Sequence, residues 1–464
     1  MSFLKKQQYL IFVFGSIVLY FLFAYFLERT SFYPLCFLWF TLFGCFFILM
    51  KNNQISFTNL VGIAIIFRLI FLFATPNLSQ DFYRFIWDGR MILEGLNPYL
   101  SLPETFIQQN NYPIAQAEEL YAGMGDLNGS HYTNYPPLNQ LCFLIAAFFS
   151  SKSIFGAAIV LRLIIILADV GILYFGKRLL ERLQLPIKNI FWYILNPFII
   201  IEMTGNLHFE PVMLFFLMAG MYTLYQQKWI WSAILIAYSI SVKLIPLLFL
   251  PLFFQWFVRL QTQEDSKTLS WYDFKVKPKN LLKLTAFYTI VFITVIVLFL
   301  PFYSSSLIEN YFNSVGLWFG NFEFNASFYY IFREIGYLFR GYNEIAIIGK
   351  ITPTLTILFL IILTFFRKNT SMVQLFTVML FGLCFYYFTA TTVHPWYLAT
   401  PIILSIFTKY KFPILWSLVI ILSYQAYANI PWQENLWFVS VEYILVFSYL
   451  IYEIRKNTKN KVHI

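Results

Sequence analysis

The chain has 464 residues, of which 59% are hydrophobic, 22% aromatic and only 12% charged. A soluble domain carries about 25% charged residues, so this composition excludes an ordinary globular protein and predicts an all-α polytopic membrane protein. The net charge of +10 does not point to nucleic acid. Basic residues gather at 177–188, 259–283, 367–368, 409–411 and 455–461, between alternate apolar runs, which is the positive-inside pattern of a membrane topology.

In chain order, apolar runs fall near 9–26, 33–50, 58–75, 154–176, 189–203, 211–226, 228–245, 246–258, 282–301, 347–366, 372–390, 396–408, 412–428 and 437–453. They predict a single bundle over 1–464 of about 13–14 transmembrane helices, several shorter than the roughly 20 residues a straight span needs. The first run has no small-residue cleavage site after it and reads as a retained span. Run 138–150 would invert the basic loop at 177–188 if counted as a span, so it reads as a re-entrant or surface helix. Both termini then lie in the cytoplasm. Segments 76–153 and 302–346 become extracytoplasmic loops, and 259–281 a cytoplasmic connector. Long loops of this kind are usually functional. Cys36, Cys45, Cys142 and Cys384 all fall inside apolar runs without metal spacing, as small core residues do.

The stretch 79–99, SQDFYRFIWDGRMILEGLNPY, opens where the apolar run 60–74 stops. Charged side chains at the mouth of a membrane helix are costly and usually functional. On a helix Asp81, Arg84 and Asp88 share one face. Asp81, partly desolvated by Phe82, Phe85 and Trp87, is either a general base or a helix cap. Asp88 is either a second acid, a substrate or metal ligand, or the i+4 partner of Arg84. Arg84 and Arg90 either bind an anionic head group or neutralise these acids.

The traced topology puts other unusual polar residues on the same outer side: Tyr135, Glu202, His208, Glu210, Lys243, Glu323 and His394. Lys243 is an isolated cation in an apolar helix, free either to meet a lipid phosphate or to snorkel. His394 either holds a phosphate or is a satisfied interfacial histidine. His208 and Glu210 have a spacing that could hold a divalent cation, but two ligands do not make a metal site. Glu323 could hydrogen-bond sugar hydroxyls. Arg162 and Asp169, seven apart in one run, are expected to pair with each other. No GxGxxG or P-loop glycine pattern occurs, so a nucleotide-bound donor has no recognisable seat.

The pattern D-x-Y-R-x-x-W-D-G-R-x-x-x-x-G-x-N-P-Y from Asp81 to Tyr99 resembles the GT-C fold glycosyltransferases, nearest the polyprenol-phosphate-mannose-dependent mannosyltransferases. The later order agrees: Tyr135-Pro-Pro-Leu138, Asn196-Pro197, Gly205-Asn206 with Glu210, Val242-Lys243 with Pro246, and His394-Pro-Trp-Tyr397. It is also similar to the enzyme adding the first mannose in glycolipid-anchor assembly and to glycosyltransferase family 87.

The resemblance implies a polyprenyl-phosphate sugar donor, with mannose as the sugar, and inverting transfer on the extracytoplasmic face of the plasma (inner) membrane. The acceptor would be a glycan, glycolipid or protein. Asp81 matches the catalytic aspartate. Arg84, Arg90, Lys243 and His394 would meet the donor phosphate, and Asp88, Tyr135, His208, Glu210 and Glu323 the substrates. Some relatives carry a D-x-D pair, but here Ser79 stands two before Asp81, which weakens the case for a metal. The resemblance makes no cofactor certain, and a divalent cation stays open. The alternative is a transporter or flippase of lipid-linked saccharides, which would need polar residues at the midplane and inverted repeats.

Overall fold

The computed structural model describes residues 8–258, 277–320 and 322–462, so most of the 259–281 connector lies outside the described residues. Among these every regular element is a helix, with one isolated parallel bridge between Phe324 and Thr392. The chain is an all-α polytopic membrane protein. Among the described residues seven helices are long and apolar enough to cross a membrane: Tyr9–Phe26, Phe32–Lys51, Ile154–Arg182, Pro278–Phe302, Ile345–Phe366, Met372–Thr389 and Leu436–Lys459. The others are shorter, or broken. Ile199–Gly205 and Glu210–Tyr225 form one pair bent by 110°, and Phe57–Ile70, Pro137–Phe149, Trp229–Val242, Ile245–Val258 and Phe412–Ala428 are short apolar helices.

The breaks have local causes. Pro246 and Pro251 supply no backbone N–H and force 3₁₀ geometry on Ile245–Phe253. The chain therefore leaves the Trp229–Val242 helix at Lys243, whose backbone is extended. Residues 199–205 wind as a π-helix, and Leu207 follows at φ +63°. Helix breaks inside a bundle are tolerated only where the freed backbone groups find other partners.

Here buried polar side chains supply them. Arg162 does not pair with Asp169, although the two share a helix. Its guanidinium donates to the carbonyls of Thr204, Gly205 and Leu72 at 2.8–3.0 Å. Asp169 instead takes Arg68, near the end of the Phe57–Ile70 helix, at 2.8 Å. Arg68 also donates to the carbonyls of Ala64 and Ile194. Both arginines are spent holding helices together.

The helix Asp81–Leu93 follows Phe57–Ile70 and lies against Ala117–Gly129 and Pro137–Phe149. Close approach depends on Gly89, where a Cβ would stand 2.2 Å from the Phe143 carbonyl oxygen. Phe85 stacks on the Phe143 ring at 4.7 Å. Thus the 138–150 run forms a short helix that seats the Asp81 helix.

Candidate active site

A cavity of about 540 Å³ opens at one end of the bundle. Its wall takes residues that follow the C-terminal ends of Tyr9–Phe26, Phe57–Ile70, Trp229–Val242 and Met372–Thr389, and others at the N-terminal ends of Glu210–Tyr225 and Ile345–Phe366. Helices of alternating direction contribute alternate ends, so the cavity belongs to one side of the bundle.

Asp81 is the first residue of its helix and lines this cavity, half-buried. Its carboxylate is not the helix cap. The cap position is Gln80, with no side-chain cap bond, and the Asp81 backbone N–H donates to the Ser79 hydroxyl at 3.3 Å. Desolvation pushes the Asp81 carboxyl above its ordinary pKa, while the Lys243 charge and the Asn128 amide pull it back. Glu210 adds to the upward push and Arg29 opposes it. A carboxylate held near water in this way is suited to accept a proton.

Opposite in charge stands Lys243, whose ammonium donates to Glu210 Oε1 at 2.5 Å. Glu210 opens its helix, where the backbone N–H groups favour a carboxylate. Arg29 is a cation on this wall that the sequence reading passed over. It donates to the Leu78 carbonyl at 3.2 Å and lies over the Tyr427 ring at 4.2 Å. Among the described residues it has no carboxylate within salt-bridge range. Its only sequence signal is its position, three residues after the first span.

The remaining predicted residues divide. Arg84, Tyr135, His208 and His394 line the cavity. Arg84 is already engaged, by Asp88 at 2.8 Å and by the carbonyls of Asn128 and His131. Asp88 stands behind the cavity, fully buried, and accepts from Gln140 at 3.0 Å. Its place there is structural. Arg90 also lies off the cavity, bound to the Ala115 carbonyl and the Gln116 side chain. Glu323 is off the wall too, held by Arg333, Tyr329 and Asn343. The shared face of Asp81, Arg84 and Asp88 is real, but only Asp88 leaves the cavity, toward Gln140, while Arg84 lines it tied to the Asn128 and His131 carbonyls.

His208 and His394 sandwich the Trp396 ring at 4.0 and 4.4 Å. Burial, aided by the Lys243 charge, pushes His394 down to about 3, so it is neutral and offers a hydrogen bond rather than a charge. Among the described residues no three His, Cys, Asp or Glu side chains converge as metal ligands.

The His394 shift carries a stability consequence. An unfolded histidine titrates near 6.5, so between about 6.5 and about 3 the unfolded chain binds a proton that the folded one refuses. Folded-state stability from this group is therefore full above 6.5 and falls as pH drops, by about 1.4 kcal/mol per unit. Melting curves of the wild type and His394→Asn between pH 5 and 8 check this expectation: the variant's midpoint should fall less steeply on acidification.

A multi-helix membrane protein with a carboxylate and two cations around a cavity at its helix ends has the layout of an integral-membrane group-transfer enzyme. Residues 11–259 match the model of the alpha-(1->6)-mannopyranosyltransferase N-terminal-domain family. That match covers more than half of the chain, which belongs to this family and is a GT-C-like membrane mannosyltransferase. It includes Arg29, Asp81, Glu210 and Lys243, and ends before Glu323 and His394. No curated protein matches the chain.

Proposed function

We propose that the protein moves a mannosyl group from a polyprenyl-phosphate donor to an acceptor hydroxyl, with inversion. The observation that carries this reading is the placing of Asp81 beside Lys243 and Arg29 on one cavity wall. The acceptor O–H proton passes to the Asp81 carboxylate as the acceptor oxygen bonds to the sugar's anomeric carbon. The bond from that carbon to the phosphate oxygen breaks, and its electron pair leaves with the phosphate. A phosphate is a good leaving group, so one base suffices, unlike the acid–base pair of inverting hydrolases. Lys243 and Arg29 stabilise the charge that grows on the departing phosphate. Contacts to the lipid tail between helices supply orientation from remote binding.

The cavity faces the extracytoplasmic side of the plasma membrane in this reading. Lys177, Arg178, Arg182, Arg367 and Lys368 sit at the helix ends away from it, which the positive-inside rule assigns to the cytoplasm. The acceptor is a glycan, a glycolipid or a protein hydroxyl. Purified enzyme in vesicles, offered polyprenyl-phosphate mannose or a nucleotide-diphosphate mannose, tests the donor. Transfer from the lipid donor alone is expected; transfer from the nucleotide sugar alone overturns the reading.

A further inference from the structure

The Gly205-Asn206 element has no part in the chemistry above, yet it lies at the junction of two segments that the chemistry needs. Asn206 closes the Ile199–Gly205 π-helix and is fully buried. Its Oδ1 accepts the backbone N–H groups of Asn77 at 3.1 Å and Leu78 at 2.8 Å. Its Nδ2 donates to the Ile201 carbonyl at 3.0 Å. One amide therefore joins the segment leading to Asp81 with the helix break leading to Glu210.

Two neighbours reinforce the junction. Arg162 binds the carbonyls of Leu72, Thr204 and Gly205 at once. Gly205 has no Cβ because one would meet the Phe71 ring at 2.9 Å. Asn77 passes the connection on, donating to the carbonyls of Phe23 and Leu27 at the end of the first span. Asp81 lies three residues beyond Leu78, and Glu210 four beyond Asn206.

We propose that Asn206 is a positioning residue that fixes the Asp81 carboxylate relative to the Glu210–Lys243 pair. The residue type follows from the bonding. An alanine would leave the N–H groups of buried Leu78 and half-buried Asn77 without their acceptor, which is costly out of water, and the helix start would be free to shift. A shift near 1 Å in a reacting group costs on the order of 100-fold in rate. This inference rests on Asp81 being the base.

The test compares Asn206→Ala, Asn206→Asp and Asp81→Asn in the same vesicles, measuring melting midpoint, kcat, donor KM and the pH profile. Asn206→Ala should lose roughly 10–100-fold in kcat with donor KM held within about threefold. Its acidic limb should move toward the ordinary carboxylate range, because a loosened helix start admits water to Asp81. A residue that merely stabilises the fold would reduce the folded fraction and leave the limb in place. Asn206→Asp keeps an acceptor for both N–H groups but gives up the donor to the Ile201 carbonyl, so its kcat should lie above that of Asn206→Ala. A folded Asn206→Ala enzyme with wild-type kcat and limb overturns the proposal. Should Asn206→Ala not fold, the neutral and shorter Asn206→Ser replaces it: a folded Asn206→Ser enzyme whose kcat stays within about threefold of wild type overturns the proposal, and a larger loss with donor KM held supports it. Full activity in Asp81→Asn would instead remove the base assignment itself.

Discussion

Asp81→Asn is expected to lower kcat by about 10²–10⁴-fold, the usual contribution of a positioned acid or base, without lowering the melting midpoint. Asparagine keeps the shape and removes the proton acceptor. The substitution also separates the two roles that the sequence left open. Asparagine caps helices as well as aspartate does, so a cap would survive the change and a base would not. The helix start already argues for the base, since the Ser79 hydroxyl, and not the Asp81 carboxylate, meets the first free backbone N–H. The wild-type pH profile gives a second reading. The base must be ionised, and burial raises its pKa, so transfer should fall as pH drops through a value above the ordinary carboxylate range. Asn128→Ala should move that limb further up, because the Asn128 amide favours the charged form. Mannosyl transfer measured with the lipid-linked donor checks both. An active Asp81→Asn enzyme would sink the base assignment.

The parts of the site that the sequence revealed are those with local causes. The helix from Asp81 and the Arg84–Asp88 pair follow from spacing within a few residues, whereas the apolar run read to 74 ends as a helix at Ile70. The isolation of Lys243 in its apolar run was legible too, but it left phosphate binding and snorkelling both open, and its partner Glu210 lies 33 residues away. What could not be read is long-range. Arg162 and Asp169 share a helix face by spacing, but each meets a different neighbour, and Arg68 finds Asp169 from 101 residues away. Arg29 sits in a short link without periodicity, so only the folded wall shows its relation to Asp81. Asp88 and Arg90 belong to the most recognisable motif, yet Asp88 faces the Pro137–Phe149 helix and Arg90 the Ala115 carbonyl and the Gln116 side chain. A motif's residues serve the site both by lining it and by bracing what lines it.

Lys243→Ala is expected to raise the donor KM far more than the acceptor KM, because its ammonium is the cation nearest in effect to Asp81 and meets the phosphate in the proposed mechanism. The single variant also leaves the buried Glu210 carboxylate without its partner. Breaking a buried pair typically costs about 3–5 kcal/mol. The cost here should lie at the low end, since Lys243 keeps some exposure and the helix N-terminus continues to support Glu210. Stability and binding therefore have to be separated. Glu210→Gln combined with Lys243→Met removes both charges together and should recover most of the melting midpoint, as neutral replacement of buried ion pairs often does. The donor KM should stay high in that double variant, because no cation has been restored. If donor KM recovered along with the melting midpoint, Lys243 would be a structural partner of Glu210 alone, and the phosphate would fall to Arg29. If instead donor KM stayed at the wild-type value even in Lys243→Ala, the lysine would merely reach toward the membrane surface. The contrast between recovered stability and unrecovered donor binding is what assigns the lysine to the lipid phosphate.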